Sequence, residues 1–145
     1  MATKHQLKTF AHHQAAHAVA HYYLKIGFKS VTLENSEPHF TSIKGRGAYT
    51  EAHIIACYAG MYAQRKAGHR GRMTHNSVVD FELGAEMWDD CADDDHLCDI
   101  LQRQLAQRRA EVLVELHWPD IQKVAQALLD RKRLSHAEVV KAIRV

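Results

Sequence analysis

The chain has 145 residues, of which 46% are hydrophobic and 25% charged, with a formal net charge of +2. These are globular proportions, and the small net charge does not by itself imply a nucleic-acid partner. With only 2 Pro and 7 Gly to break helices, a mostly α fold is expected, one domain over residues 1–145 with a core that needs no staples.

Cys57, Cys91 and Cys98 are odd in number and form no C-x-x-C pair, which argues against a disulfide framework and for a reducing compartment. No apolar run reaches the length of a membrane span, and the N-terminal MATKHQLK lacks the apolar core of a signal peptide, so a cytoplasmic protein is expected. Charge is unevenly placed. Arg65-Lys66 through His69-Arg70-Gly71-Arg72 is basic, whereas Asp89-Asp90 and Asp93-Asp94-Asp95 are acidic. Such runs are solvated helix ends or loops, or, for the basic one, a nucleic-acid face.

In chain order, Leu7, Phe10, Ala11, Ala15, Ala18, Val19 and Tyr22 recur at spacings of three and four, predicting an amphipathic helix from about His5 to Ile26 that Gly27 stops. Lys29–Leu33 and Phe40–Ile43 read as two short strands, a small β-hairpin or short sheet beside that helix. An extended peptide could add to a strand edge there; equally, the hairpin could merely cover the helix. A second helix, roughly Thr50 to Lys66, is apolar nearly all round, and Ala59 and Gly60 permit close approach to the first. A third is capped by Asn76 or Ser77 and runs through Asp80 to Trp88. His96 to about His117 is a long amphipathic helix, Pro119 opens another to about Lys132, and Ser135 with Glu138 is a capping box for a last helix ending near Ile143.

The chemistry concentrates in His12 to His21, HHQAAHAVAH. Histidines four residues apart project from one helix face, so His13 and His17 have the ligand spacing of the H-E-x-x-H zinc motif. His17 and His21 form a second such pair, but only His13 is followed by a carboxylate isostere, Gln14. A carboxamide keeps the shape of glutamate and cannot accept a proton near neutral pH. Catalytic zinc takes three protein ligands, so a third is required; the alternative is a chance pairing among 12 histidines.

His13-Gln14-Ala15-Ala16-His17-Ala18-Val19 resembles the HEAGHAV motif of the FtsH-type zinc metallopeptidase domain. Further along, Ser30–Leu33 is similar to that family's strand after the motif helix, Tyr58–Gln64 (YAGMYAQ) to its LAGRAAE segment, and Ser77–Glu86 to its segment carrying Asn-Asp. Leu128-Leu129 and Leu134–Val139 are similar to its closing helix–turn–helix. The resemblance implies Zn²⁺ held by His13, His17 and Asp80, with His75, Glu82 and Glu86 as local competitors for the third place. It implies a peptide or unfolded-protein substrate and a metal-activated water deprotonated from position 14. Two departures stand out: Gln64 replaces a usually acidic residue, and the family's ATPase module and membrane anchor have no counterpart, so a separate ATPase partner enters by analogy only. Gln14 is either a deliberate Glu→Gln substitution, favoured because all three predicted ligands remain, or natural, which makes the chain a pseudopeptidase that binds peptides or partners. The rival reading is a small helical nucleic-acid-binding regulator using Arg65–Arg72. No oligomeric interface is legible.

Overall fold

A computed structural model describes residues 3–33, 40–42, 51–73, 80, 82 and 96–145. The chain is mostly helical with a small antiparallel sheet, as expected. The first helix, α1 (Lys4–Tyr23), begins at a capping box: Gln6 N–H donates to Thr3 Oγ1 at 3.1 Å and Thr3 N–H to Gln6 Oε1 at 2.8 Å. It stops earlier than the predicted Gly27. Lys25 adopts the left-handed conformation with φ 59°, Lys25 N–H donates to the Tyr22 carbonyl, and Ile26 N–H to that of His21. This is a Schellman closure without glycine, and periodicity gives no warning of it.

α1 is also more deeply placed than an amphipathic stripe implies, because every residue from Ala11 to His21 is buried. It packs chiefly against α2 (Glu51–Lys66) and α4 (Trp118–Arg131). Ala11, Ala15 and Ala18 on α1, and Ala56, Ala59 and Ala63 on α2, are fully buried. Small side chains at such positions let two backbones approach closely. α2 ends in a second Schellman closure, with Gly68 at φ 113° and His69 N–H donating to the Gln64 carbonyl at 3.1 Å; here the left-handed position is glycine, as the rule prefers.

The sheet consists of β1 (Phe28–Thr32), β2 (Phe40–Ser42) and β3 (Arg133–Ser135), in the order β2-β1-β3, with both pairings antiparallel. The third strand is not predicted from the sequence, in which Arg133 and Leu134 fall between the helix ending at about Lys132 and the Ser135 cap of the next. Three residues between two helices show no period-two pattern, and their partner lies about a hundred residues earlier. Lys132, left-handed at φ 67°, ends α4, and its carbonyl accepts from Leu33 N–H at 2.8 Å and Thr32 Oγ1 at 3.2 Å. Because β1 is central, both its edges are taken, and it offers no edge to an added peptide strand.

α3 (His96–Leu116) lies against α2, and α4 follows with Pro119 in its first turn. α5 (His136–Arg144) opens on the predicted Ser135/Glu138 capping box. The predicted helix from Asn76 or Ser77 to Trp88 lies outside the described residues except for Asp80 and Glu82, both helical. Among the described residues no helix is long and apolar enough to cross a membrane.

His21 closes the contact between α1 and the sheet. Its ring meets Phe28 edge-on at 6.0 Å, and its Nδ1–H donates to the His17 carbonyl at 2.9 Å. Burial pushes its pKa down to about 4. The unfolded chain therefore takes up a proton on this group before the folded one does, so its contribution to stability is complete above about pH 6.5 and is lost as pH falls to about 4. A shift of this size corresponds to about 3 kcal/mol. Urea unfolding at pH 7, 5 and 4 should show this loss, and His21→Gln should flatten that part of the profile.

Candidate metal centre

Two helical turns of α1 present His13 and His17 to α2 and to Asp80. The imidazoles meet edge-to-face with centroids 4.8 Å apart. Each ring is oriented from behind: His13 Nδ1 lies 2.9 Å from Gln64 Oε1 and His17 Nδ1 lies 2.9 Å from the Ala56 carbonyl, both contacts buried. A carbonyl oxygen only accepts, so each Nδ1 carries the hydrogen and each neutral ring turns the lone pair of Nε2 forwards.

Both Nε2 atoms converge on one oxygen, Asp80 Oδ2, at 2.7 Å from His13 and 2.9 Å from His17. Three lone pairs facing one another in a buried site need a positive charge among them, either a proton or a metal ion. The ligand atoms of His13, His17 and Asp80 all lie within 4.8 Å of one another, and this is the group able to hold a metal among the described residues. Two nitrogens and a carboxylate oxygen are a donor set that suits zinc.

The protonation pattern fits a site that holds cations. Burial opposes a charge on Asp80, but the neighbouring His17 and hydrogen bonds from both rings outweigh it and hold the carboxyl well below the usual carboxylate range. Burial likewise opposes a charge on His17, and the Asp80 carboxylate overcomes it and raises the ring's pKa. For His13 burial prevails and its pKa falls. Of the two rings, it is His17 whose protonated form the Asp80 carboxylate favours.

Gly60 gives the centre its room. A Cβ there would stand 2.7 Å from both Nε2 atoms and 2.9 Å from His13 Cδ2, closer than nonbonded carbon and nitrogen approach. The sequence suggested Gly60 for close helix packing, and its position under both ligand atoms is the specific reason. Behind Asp80, the Cys57 thiol donates to the Asp80 backbone carbonyl at 2.9 Å, tying this residue to α2.

Gln14 is 3% exposed, and its Nε2 donates to the Thr32 carbonyl at 3.3 Å. The amide thus links the ligand helix to the end of β1, a bond a carboxylate cannot make. Gln64 proves to be the acceptor that orients His13, a role that a neutral amide fills without adding negative charge.

The other histidines of the HHQAAHAVAH run serve elsewhere. His12 donates to the Lys8 carbonyl at 2.7 Å and stacks on Trp118 at 5.3 Å, and His21 faces Phe28. Of the competitors for the third place, Glu82 is exposed and outside the cluster, while His75 and Glu86 lie outside the described residues. The Ala56 carbonyl and Cys57 were not legible as parts of the centre, because backbone acceptors and structural thiols carry no sequence signal of their own. The chain matches no protein-family model and no curated protein sequence.

Proposed function

We propose that the chain is a zinc metallopeptidase-type domain, with the metal held by His13, His17 and Asp80, whose peptide-bond hydrolysis is silenced at position 14. The observation that carries the reading is the convergence of two imidazole lone pairs, each fixed by a buried acceptor behind it, on one carboxylate oxygen. The resemblance of HQAAHAV to HEAGHAV adds the reaction class. A bound zinc ion would supply a Lewis acid that polarises a scissile carbonyl and makes water more acidic at neutral pH.

The residues of the chain divide the remaining work. Gln64 and the Ala56 carbonyl hold the rings at one tautomer, which leaves Nε2 as the ligand atom in both. Asp80 would neutralise one unit of the charge of a bound metal, and Cys57 fixes its backbone. Position 14 is where a proton would be taken from water and returned to the leaving amine, and a carboxamide can do neither. Metal and peptide binding survive in this reading, while turnover lacks general-base help worth about 10²–10⁴-fold. The natural counterpart of such a chain is a pseudopeptidase, a binding module for peptides or unfolded segments.

Calorimetric titration with zinc at pH 7 in two buffers of different ionisation enthalpy tests the assignment. One site per chain with release of protons is expected, because His13, His17 and Asp80 would have to be deprotonated to hold the ion and the Asp80 carboxylate favours a proton on His17. Affinity should rise with pH, since the His17–Asp80 ion pair competes below the raised pKa of His17 and fades above it. Binding without proton release, or no binding, would contradict it.

A further inference from the structure

Between residues 1 and 33, and again between 52 and 79, the chain contains no Asp or Glu, although these stretches carry 8 of its 19 Lys and Arg residues. All 17 carboxylates lie elsewhere, so a chain of net charge +2 is internally segregated. The fold brings the two carboxylate-free stretches together as the antiparallel pair α1 and α2: His13 meets Gln64, His17 meets Ala56, and a Cβ at Gly68 would touch His5 at 3.3 Å. The start of α1 therefore lies beside the end of α2 and the turn after it.

We propose that this end of the helix pair is a docking surface for the phosphate backbone of a nucleic-acid duplex, formed by Lys4, His5 and Lys8 from α1 with Arg65, Arg70 and Arg72. All six are exposed, and no ion pair joins any of them to a described carboxylate. Lys66 is not part of the set, since it pairs with Glu115 at 2.8 Å and lies over the Trp118 ring at 5.2 Å. The first turn of α1 adds no negative charge, so its amide dipoles reinforce the field. The basic run read from the sequence is thus half of a surface, and the structure adds the other half.

The kind of anion follows from what the surface lacks. Among the described residues the large exposed apolar side chains are Tyr23, Leu105, Val112, Leu116 and Val145, none of which belongs to the first two turns of α1 or to Arg65–Arg72, so the basic set itself carries no large apolar side chain to insert into a lipid interface. Among the described residues of these two segments no exposed aromatic beside the basic set offers a base a stacking platform, which favours backbone contacts on a duplex over a single strand. The surface begins nine residues before His13 on α1, about 13 Å along the axis, so docking does not depend on the metal centre.

Fluorescence anisotropy of the full chain with a labelled DNA duplex of about 20 base pairs tests the proposal. Five cations on phosphates give a log–log salt slope approaching about −4.5, or roughly 10²–10³-fold weaker binding between about 50 and 200 mM salt. Lys4→Ala/Lys8→Ala and Arg70→Ala/Arg72→Ala should each weaken binding at least about tenfold and reduce the slope by about two. Lys123→Ala/Lys141→Ala, on α4 and α5, should change neither, with circular dichroism confirming the fold of each variant. Binding should persist after chelation and in His13→Ala, so failure of the metal assignment leaves this result untouched. The proposal is overturned by absence of binding at about 50 mM salt, by equal binding in both surface variants, or by stronger binding to phosphatidylserine vesicles, polyglutamate or single-stranded DNA than to the duplex.

Discussion

Gln14→Glu should convert the chain into a metal-dependent peptidase, raising hydrolysis of an unfolded protein, or of the chain itself, by about 10²–10⁴-fold over the parent. The three proposed ligands and their orienting partners are unchanged by the substitution, so the gain isolates proton transfer. The same change has a structural cost. The Gln14 amide donates to the Thr32 carbonyl from a site that is 3% exposed, and a carboxylate placed there faces an acceptor with no hydrogen to give. Losing that bond and burying an unpaired group should lower stability without metal by about 1–3 kcal/mol, and zinc should restore much of it by binding only the folded chain. Hydrolysis abolished by chelation and recovered with zinc confirms the silenced-peptidase reading. A folded, zinc-loaded Gln14→Glu chain without cleavage would assign position 14 to structure and the domain to peptide binding.

Gly60→Ala should abolish tight zinc binding, with affinity falling by at least about 100-fold, the upper limit of the 10–100-fold typical when the groups that orient metal ligands are lost. The added Cβ would stand 2.7 Å from both ligand nitrogens. Neither ring can swing clear, because Nδ1 of one is bound to Gln64 and that of the other to a backbone carbonyl. Alanine in place of glycine gains up to about 1 kcal/mol of helix propensity, which an overpacking cost of about 1–3 kcal/mol at this contact should match or exceed. Competition with a chromophoric chelator and thermal unfolding read the two effects separately. Zinc affinity equal to that of the parent would show that the rings do not present Nε2 to Gly60.

How far the sequence reaches into this structure depends on the kind of signal. Helical periodicity and caps located α1, α2, α3, α4 and α5 to within a few residues, and the Ser135/Glu138 box was legible outright because it is a local pattern. The end of α1 was misjudged because Lys25 takes a conformation usually reserved for glycine. β3 was missed because its pairing with β1 is set by tertiary contact and not by composition. At the centre, the spacing of His13 and His17 was readable, while Asp80 required a resemblance to pick it out among neighbouring acids. What orients the ligands was only partly visible: Gln64 was flagged as unusual, whereas the Ala56 carbonyl belongs to the backbone and has no residue signature. The buried imidazoles also explain why α1 looked amphipathic, since its polar histidines find backbone carbonyls, Gln64 and Asp80 as partners inside the protein.

The most direct test of the central claim is the metal content of the purified chain, measured with zinc affinity in the parent and in His13→Ala, His17→Ala and Asp80→Asn, with His21→Gln as a folded control outside the ligand set. One zinc per chain in the parent and in His21→Gln, lost in all three ligand variants, is the predicted result. No metal in the parent after zinc loading, or zinc retained when Asp80 and His13 are replaced, would contradict the His13–His17–Asp80 centre.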